Sequence, residues 1–143
     1  MTPEKIRLVD GTLLIDATSA RTLDSARAAQ TELAELRQPG MTAVLVSGAF
    51  VSETLREDLD EFALRTVRLN INQLVVVGSD ARMLHLAAER EGSWDGESLH
   101  VSTLDDAYDV VQRHRGDTVV VLVTGSASVP LEGLVARLKG ENA

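Results

Sequence analysis

The sequence predicts a three-layer Rossmann-like α/β sandwich of about six strands, mostly parallel, with an antiparallel hairpin at the N-terminal edge. Three observations predict it. Short runs apolar at nearly every position, such as Thr118-Val119-Val120-Val121-Leu122-Val123, alternate with amphipathic stretches of helical length. Strands apolar on both faces need cover on both sides, which right-handed crossover helices supply. Asp10-Gly11, between two strand-like runs, marks a hairpin.

Ile6 to Val9 and Thr12 to Ile15 are the runs flanking Asp10-Gly11. That dipeptide suits a two-residue type I′ turn. From Thr22 to Leu36, Leu23, Ala26, Leu33 and Leu36 fall on one helical face, and Pro39-Gly40 ends the helix. Thr42 to Ser47 is a buried-strand run. Leu55, Leu59, Phe62, Thr66 and Leu69 then recur at helical spacing, with Ser52 as the expected cap. Gln73 to Gly78 is another strand. Ser79 and Asp80 open a third helix, running through Met83, Leu84 and Ala87 to about Glu91. The loop Gly92 to Gly96 leads to a short strand, Leu99-His100-Val101. Thr103-x-x-Asp106 resembles a capping box before Leu104, Ala107, Val110 and Val111. After the strand Thr118 to Val123, Gly125 to Ser128 leads to Pro130, a good first-turn residue. Leu131, Leu134, Val135 and Leu138 form the last helix face.

The chain has 143 residues, the length of a single domain over 1–143. It carries 14 basic and 22 acidic side chains, a net charge of −8. That balance argues against a broad nucleic-acid footprint, which needs clustered Lys and Arg. There is no cysteine, which excludes disulfides, thiolate catalysis and cysteine-ligated metals. No apolar run reaches spanning length, and the N-terminus has no signal-peptide core. The expectation is a cytoplasmic protein with no nucleic-acid partner and no membrane insertion.

Ligands of open parallel sheets bind beyond the carboxyl ends of the strands. The segments expected there are Asp16 to Thr22, Ser47 to Ser52, Gly78 to Asp80 and Thr124 to Ser128. Thr124-Gly125-Ser126-Ala127-Ser128 could hold an anion on its backbone N–H groups. It lacks both the GxxxxGK[ST] lysine and the GxGxxG spacing, so a tight strand-to-helix turn is the simpler reading. Ser47-Gly48-Ala49-Phe50 offers no carboxylate, and Asp80 reads as a helix-dipole partner. His85, His100 and His114 lie on three different elements without metal-ligand spacing, and no Ser–His–acid triad is legible. Trp94 is either an interface anchor or, preferably, a cover folded over the sheet edge. Glu53, Glu57, Asp58, Asp60 and Glu61 read as a solvated helix face.

The strings Asp10 to Asp16, Asp24 to Ala29, Ala43 to Val46, Asn72 to Gly78 with Ala81-Arg82, Val120 to Ser126 and Leu131-Glu132 occur in the order and spacing of one family. Across roughly residues 5–139 the chain resembles the C-terminal domain of the Mur ligases, most of all the branch that adds D-alanyl-D-alanine to a UDP-linked tripeptide. The resemblance implies cytoplasmic, ATP-dependent amide-bond ligases of peptidoglycan precursor synthesis, built of three domains. The central domain of such enzymes carries the P-loop for ATP and magnesium. The C-terminal domain closes over the nucleotide and helps bind the incoming amino acid or dipeptide.

This chain departs from the family where that chemistry sits. The family's Asp-Ser-Tyr-Asn-Ala-Asn-Pro stretch reads Asp16-Ala17-Thr18-Ser19-Ala20-Arg21-Thr22. Its Gly-Asp-Met turn reads Ser47-Gly48-Ala49-Phe50, and the histidine expected on the next helix falls near Leu59. The final Lys-Gly-Ser-Arg becomes Thr124-Gly125-Ser126-Ala127, losing both cations an anionic substrate would want. The expectation is therefore a domain with no catalytic residue and no metal site, acting as an interaction or regulatory module. The alternative is the substrate-binding C-terminal domain of a working ligase, with ATP and magnesium entering only through a central P-loop domain. A protein partner or that central domain is expected in either case. Residual substrate contacts are expected at Thr18, Ser19, Arg21, Ser126 and Ser128. A response-regulator-like module is the less favoured rival, because Thr124 stands where that family needs a lysine.

Overall fold

A computed structural model describes residues 3–50 and 56–140. The expected cap Ser52, together with Glu53 and Leu55, lies outside the described residues. The chain folds as β1 (Glu4–Arg7), β2 (Leu13–Ala17), α1 (Leu23–Leu36), β3 (Thr42–Ser47), α2 (Arg56–Arg68), β4 (Gln73–Val77), α3 (Arg82–Glu89), β5 (Glu97–Val101), α4 (Leu104–Gln112), β6 (Val119–Thr124) and α5 (Glu132–Gly140). One six-stranded sheet runs in the order β1-β2-β6-β3-β4-β5. Only the β1–β2 pair is antiparallel.

Alternation along the central strands builds two cores. In β6, Val120 and Leu122 join one cluster, while Val119, Val121 and Val123 join the other. The first layer takes residues of α1, α2 and α3, and the second takes residues of α4 and α5. The helices that step the chain from β2 towards β5 thus share one face, and the one that returns it to β6 lies on the other. Right-handed crossovers require that division. The chain order reverses at β6, so the topological rule for open parallel sheets points to its carboxyl end, flanked by β2 and β3, as the place for a ligand.

The helix ends follow local chemistry. At α1, Thr22 and Ser25 form a reciprocal capping box, a signal the sequence reading missed. At α4, Thr103 Oγ1 accepts from the Asp106 N–H at 3.1 Å, the forward half of the expected box. Helix α2 closes with Asn70 at φ 56°, Asn70 N–H on Val67 O and Ile71 N–H on Thr66 O, a Schellman arrangement with Ile71 buried after it. The Arg37 guanidinium, from the far end of α1, donates to the Leu69 carbonyl at 2.9 Å and also to that of Asn70.

Two expectations need correction. The hairpin loop has three residues, Val9 to Gly11, not two. Gly11 N–H donates to Leu8 O at 2.9 Å, Leu8 N–H donates to Thr12 O at 2.8 Å, and only Gly11 has positive φ (92°). Asp10 Oδ1 takes the Thr12 N–H at 3.0 Å, so its side chain rather than a left-handed backbone supports the turn. The Ser79-Asp80 helix start is a separate 3₁₀ turn (Ser79–Ala81), and α3 ends at Glu89 rather than about Glu91. Gly78, at φ 102°, turns the chain out of β4 before either can begin.

Candidate functional site

The carboxyl ends of β2, β6, β3 and β4 bring the expected segments side by side. At the centre, the turn after β6 is anchored on both flanks. Gly125 N–H donates to Ala20 O at 3.0 Å, and Ala127 N–H donates to Ala49 O at 2.7 Å. Ser128 N–H is turned inward to Ser126 Oγ at 3.3 Å. The Thr124 hydroxyl reaches Gly125 O at 3.2 Å. Three N–H groups that could have cradled an anion are therefore engaged within the chain.

Packing repeats that closure. A Cβ on Gly125 would lie 2.5 Å from both Arg21 Cγ and Thr18 O. One on Gly48 would lie 2.5 Å from Ser126 Cβ. Gly125 stands where two loop backbones meet too closely for a side chain, and at Gly48 the space is filled by the Ser126 side chain.

The five expected contact residues form no single cluster. Thr18 is buried, and its hydroxyl and N–H both donate to Asp16 Oδ1, at 2.6 and 3.0 Å. Ser126 is buried against Gly48. Arg21 donates to Glu132 Oε2 at 2.6 Å across 111 residues of sequence. The backbone N–H of Glu132 and the Arg21 guanidinium hold that carboxyl below the usual range, against a small opposing effect of burial. Ser19 lines a different cleft, about 440 Å³, with Pro3, Ala17, Ala20, Ser25 and Glu32. Ser128 is exposed near Gly78.

A smaller cleft of about 250 Å³ lies between the β3 and β4 tips. Phe50, Leu59, Met83 and Leu84 make its apolar wall, and among the described residues Asp80 is its one charged group. Phe50 packs edge-on against Phe62 with ring centroids 5.4 Å apart. Met83 is one of two large apolar side chains exposed among the described residues, the other being Val9.

Of the remaining candidates, Trp94 folds back over the sheet edge and donates to Ile71 O at 2.8 Å. Part of the acidic α2 face is tied down: Glu61 pairs with Arg27 at 2.9 Å and Asp60 with Arg90 at 2.8 Å. His114 Nε2 lies 3.2 Å from Gln73 Oε1. The sequence reading kept His85 and His100 apart, yet they stack at 5.6 Å between centroids. The faint signal was their shared face: His100 alternates with Leu99 and Val101, which pack on the opposite layer.

The Arg21 cation is paired with a carboxylate, and the Gly125, Ala127 and Ser128 N–H groups of the turn are engaged within the chain. Among the described residues no group of three or more His, Asp or Glu is placed to hold a metal ion. Nor is any helix among them long and apolar enough to cross a membrane.

No family model matches the chain. It is 32% identical over 149 aligned positions to the UDP-N-acetylmuramoyl-tripeptide–D-alanyl-D-alanine ligase of Mycobacterium leprae. That alignment covers 94% of the chain and only 29% of the relative. Among solved structures, MurF from Acinetobacter baumannii superposes with TM-score 0.73 at 22% identity, over 96% of this chain and 30% of that one. MurF from Thermotoga maritima, solved with ADP, gives 0.71 at 16% identity, over 96% and 30%. A single domain of a candidate UDP-N-acetylmuramate peptide ligase from Haemophilus ducreyi gives 0.66 at 12% identity, over 98% of both chains. These structures share the fold, and the chain spans under a third of the full-length ligases.

Proposed function

For a chain that is a Mur ligase C-terminal-like domain, we propose a role in peptidoglycan precursor synthesis as a non-catalytic interaction or regulatory module that docks on a protein partner in the cytoplasm. One observation supports this reading above the others: the turn after β6 directs its backbone donors at Ala20, Ala49 and Ser126 instead of at an open crevice. A ligase domain aims charged and polar groups at its reactants. Here the one cation among the expected contacts, Arg21, is engaged by Glu132.

A second reading rests on the 32% identity that runs over 94% of the chain. In it the domain supplies substrate contacts to an ATP-dependent D-alanyl-D-alanine ligase, with ATP and magnesium held by a central P-loop domain. Thr18, Ser19, Arg21, Ser126 and Ser128 are the residues through which any such contact would run. Arg21→Ala should then weaken binding of an anionic substrate, and unchanged affinity would mark the pocket as unused.

The two readings part on one experiment. A D-alanyl-D-alanine ligase truncated to its first two domains is mixed with this chain. The module reading predicts a complex by analytical ultracentrifugation with no restored amide-bond formation. Restored ligation would establish the second reading, and no complex at high micromolar concentration would remove the first.

A further inference from the structure

We propose that His85 and His100 form a proton-sensitive clasp that ties α3 and β5 to the turn at the tip of β4 and loosens this edge of the sheet as the pH falls. The inference stands independently of the docking reading, because it rests on a different part of the molecule.

The rings stack with centroids 5.6 Å apart and planes 25° from parallel. His100 Nε2 lies 2.8 Å from Gly78 O. A carbonyl only accepts, so this nitrogen carries the hydrogen. His85 Nε2 lies 3.1 Å from a Glu89 carboxylate oxygen, which assigns its hydrogen in the same way. His85 Nδ1, 2.7 Å from Ser98 Oγ, is then the acceptor of the Ser98 hydroxyl. With both rings neutral, these three contacts are matched donor to acceptor.

A proton arriving at His85 goes to Nδ1, the atom now accepting from Ser98. Ser98 Oγ must then accept, and its own hydrogen, on a residue only 8% exposed, loses its partner. A second proton on His100 would stack two cations. The charged neighbours are divided. On α3, Glu89 favours the cation and Arg82 opposes it, and on β5 His100 opposes it too. On α2, which packs against α3, Asp60 is committed to Arg90. In the turn after β4, Asp80 faces the 250 Å³ cleft. Burial outweighs Glu89 and holds His85 below its ordinary 6.5.

The clasp reaches the strand tips through Gly78. Its carbonyl is the one His100 holds, and its φ of 102° sets the 3₁₀ turn that carries Asp80 to the cleft. The His100 N–H donates to that carbonyl in either protonation state, so the loosening passes through β5 instead: with the His85–Ser98 link lost, the strand whose Val101 carbonyl accepts the Gly78 N–H at 2.8 Å is less firmly held.

The test is histidine NMR titration of the full chain from pH 7.5 to 5.0, with amide-exchange protection factors measured alongside. His85 should titrate below 6.5, and His100→Gln should raise its midpoint by removing the stacked neighbour. Protection at Gly78 and Glu97, whose N–H groups bond Val101 O and Asn72 O, should fall on acidification while Leu122 and Val123 hold. The fall can reach tenfold for each pH unit by which the closed-state midpoint lies below that of the open state. His85→Phe keeps a ring and removes the proton, so its protection should stay flat with pH. Independent titration of the two rings at ordinary values would overturn the proposal, as would Gly78 and Glu97 protection no more pH-dependent than that of Leu122. A His85→Phe protein that still loosens would overturn it too. The wild-type measurements decide the matter alone if that variant does not fold.

Discussion

β6 and β5 lie in the same sheet, and they use their polar groups in opposite ways. β6 is buried at every position, and the turn that follows it returns its donors to neighbouring loop carbonyls and a serine hydroxyl. β5 pairs on one side only and carries Ser98, whose bond to His85 Nδ1 depends on a proton, and His100, which stacks on the same ring. The contrast teaches where a scaffold keeps the capacity to respond. A tip that satisfies its own hydrogen bonds is stable and chemically quiet, whereas an edge with titratable partners answers to solvent.

The largest expected effect breaks the centre. Leu122→Ala opens a cavity in a fully buried strand and should cost about 2–5 kcal/mol, read as a lower denaturation midpoint. Leu99→Ala, on half-buried β5, should cost clearly less, and equal losses would erase the contrast. Next is the tip itself. Gly125→Ala places a methyl 2.5 Å from the Thr18 carbonyl oxygen and should cost about 1–3 kcal/mol, because backbone must move.

The pH dependence sharpens the edge. His85 has a depressed folded-state value, so the unfolded chain binds its proton first. Its contribution is fully present above 6.5 and is lost as the pH falls below it; His85→Gln should flatten the stability profile in that window. Glu132, also depressed, acts lower: its contribution is lost as the pH falls below about 4.5. The smallest effects are local. Thr103→Ala removes the α4 cap for about 1 kcal/mol. Arg21→Ala, in a pair about half exposed on both sides, should change stability by about 0–1 kcal/mol.

The fold was legible because its signals are periodic. The all-apolar run at 119–123 and the three-four spacing from Leu131 to Leu138 each name an element without its neighbours. The hairpin was legible in kind but not in detail, since the Asp10 side chain, not its backbone conformation, decides the loop. The candidate site was less legible because its pairings are long-range. Arg21 reads as a free cation until Glu132 is brought to it across 111 residues. His85 and His100 read as scattered until β5 is laid beside α3. Gln30, which bridges α1 to the Phe62 carbonyl and Thr66 hydroxyl of α2 from a fully buried position, gave no local sign of its role.

Calorimetric titration of the chain with magnesium-ATP, and separately with D-alanyl-D-alanine, tests the central claim most directly. A self-satisfied tip predicts no binding heat for either ligand at millimolar concentration. Saturable micromolar binding that Arg21→Ala abolishes would contradict it.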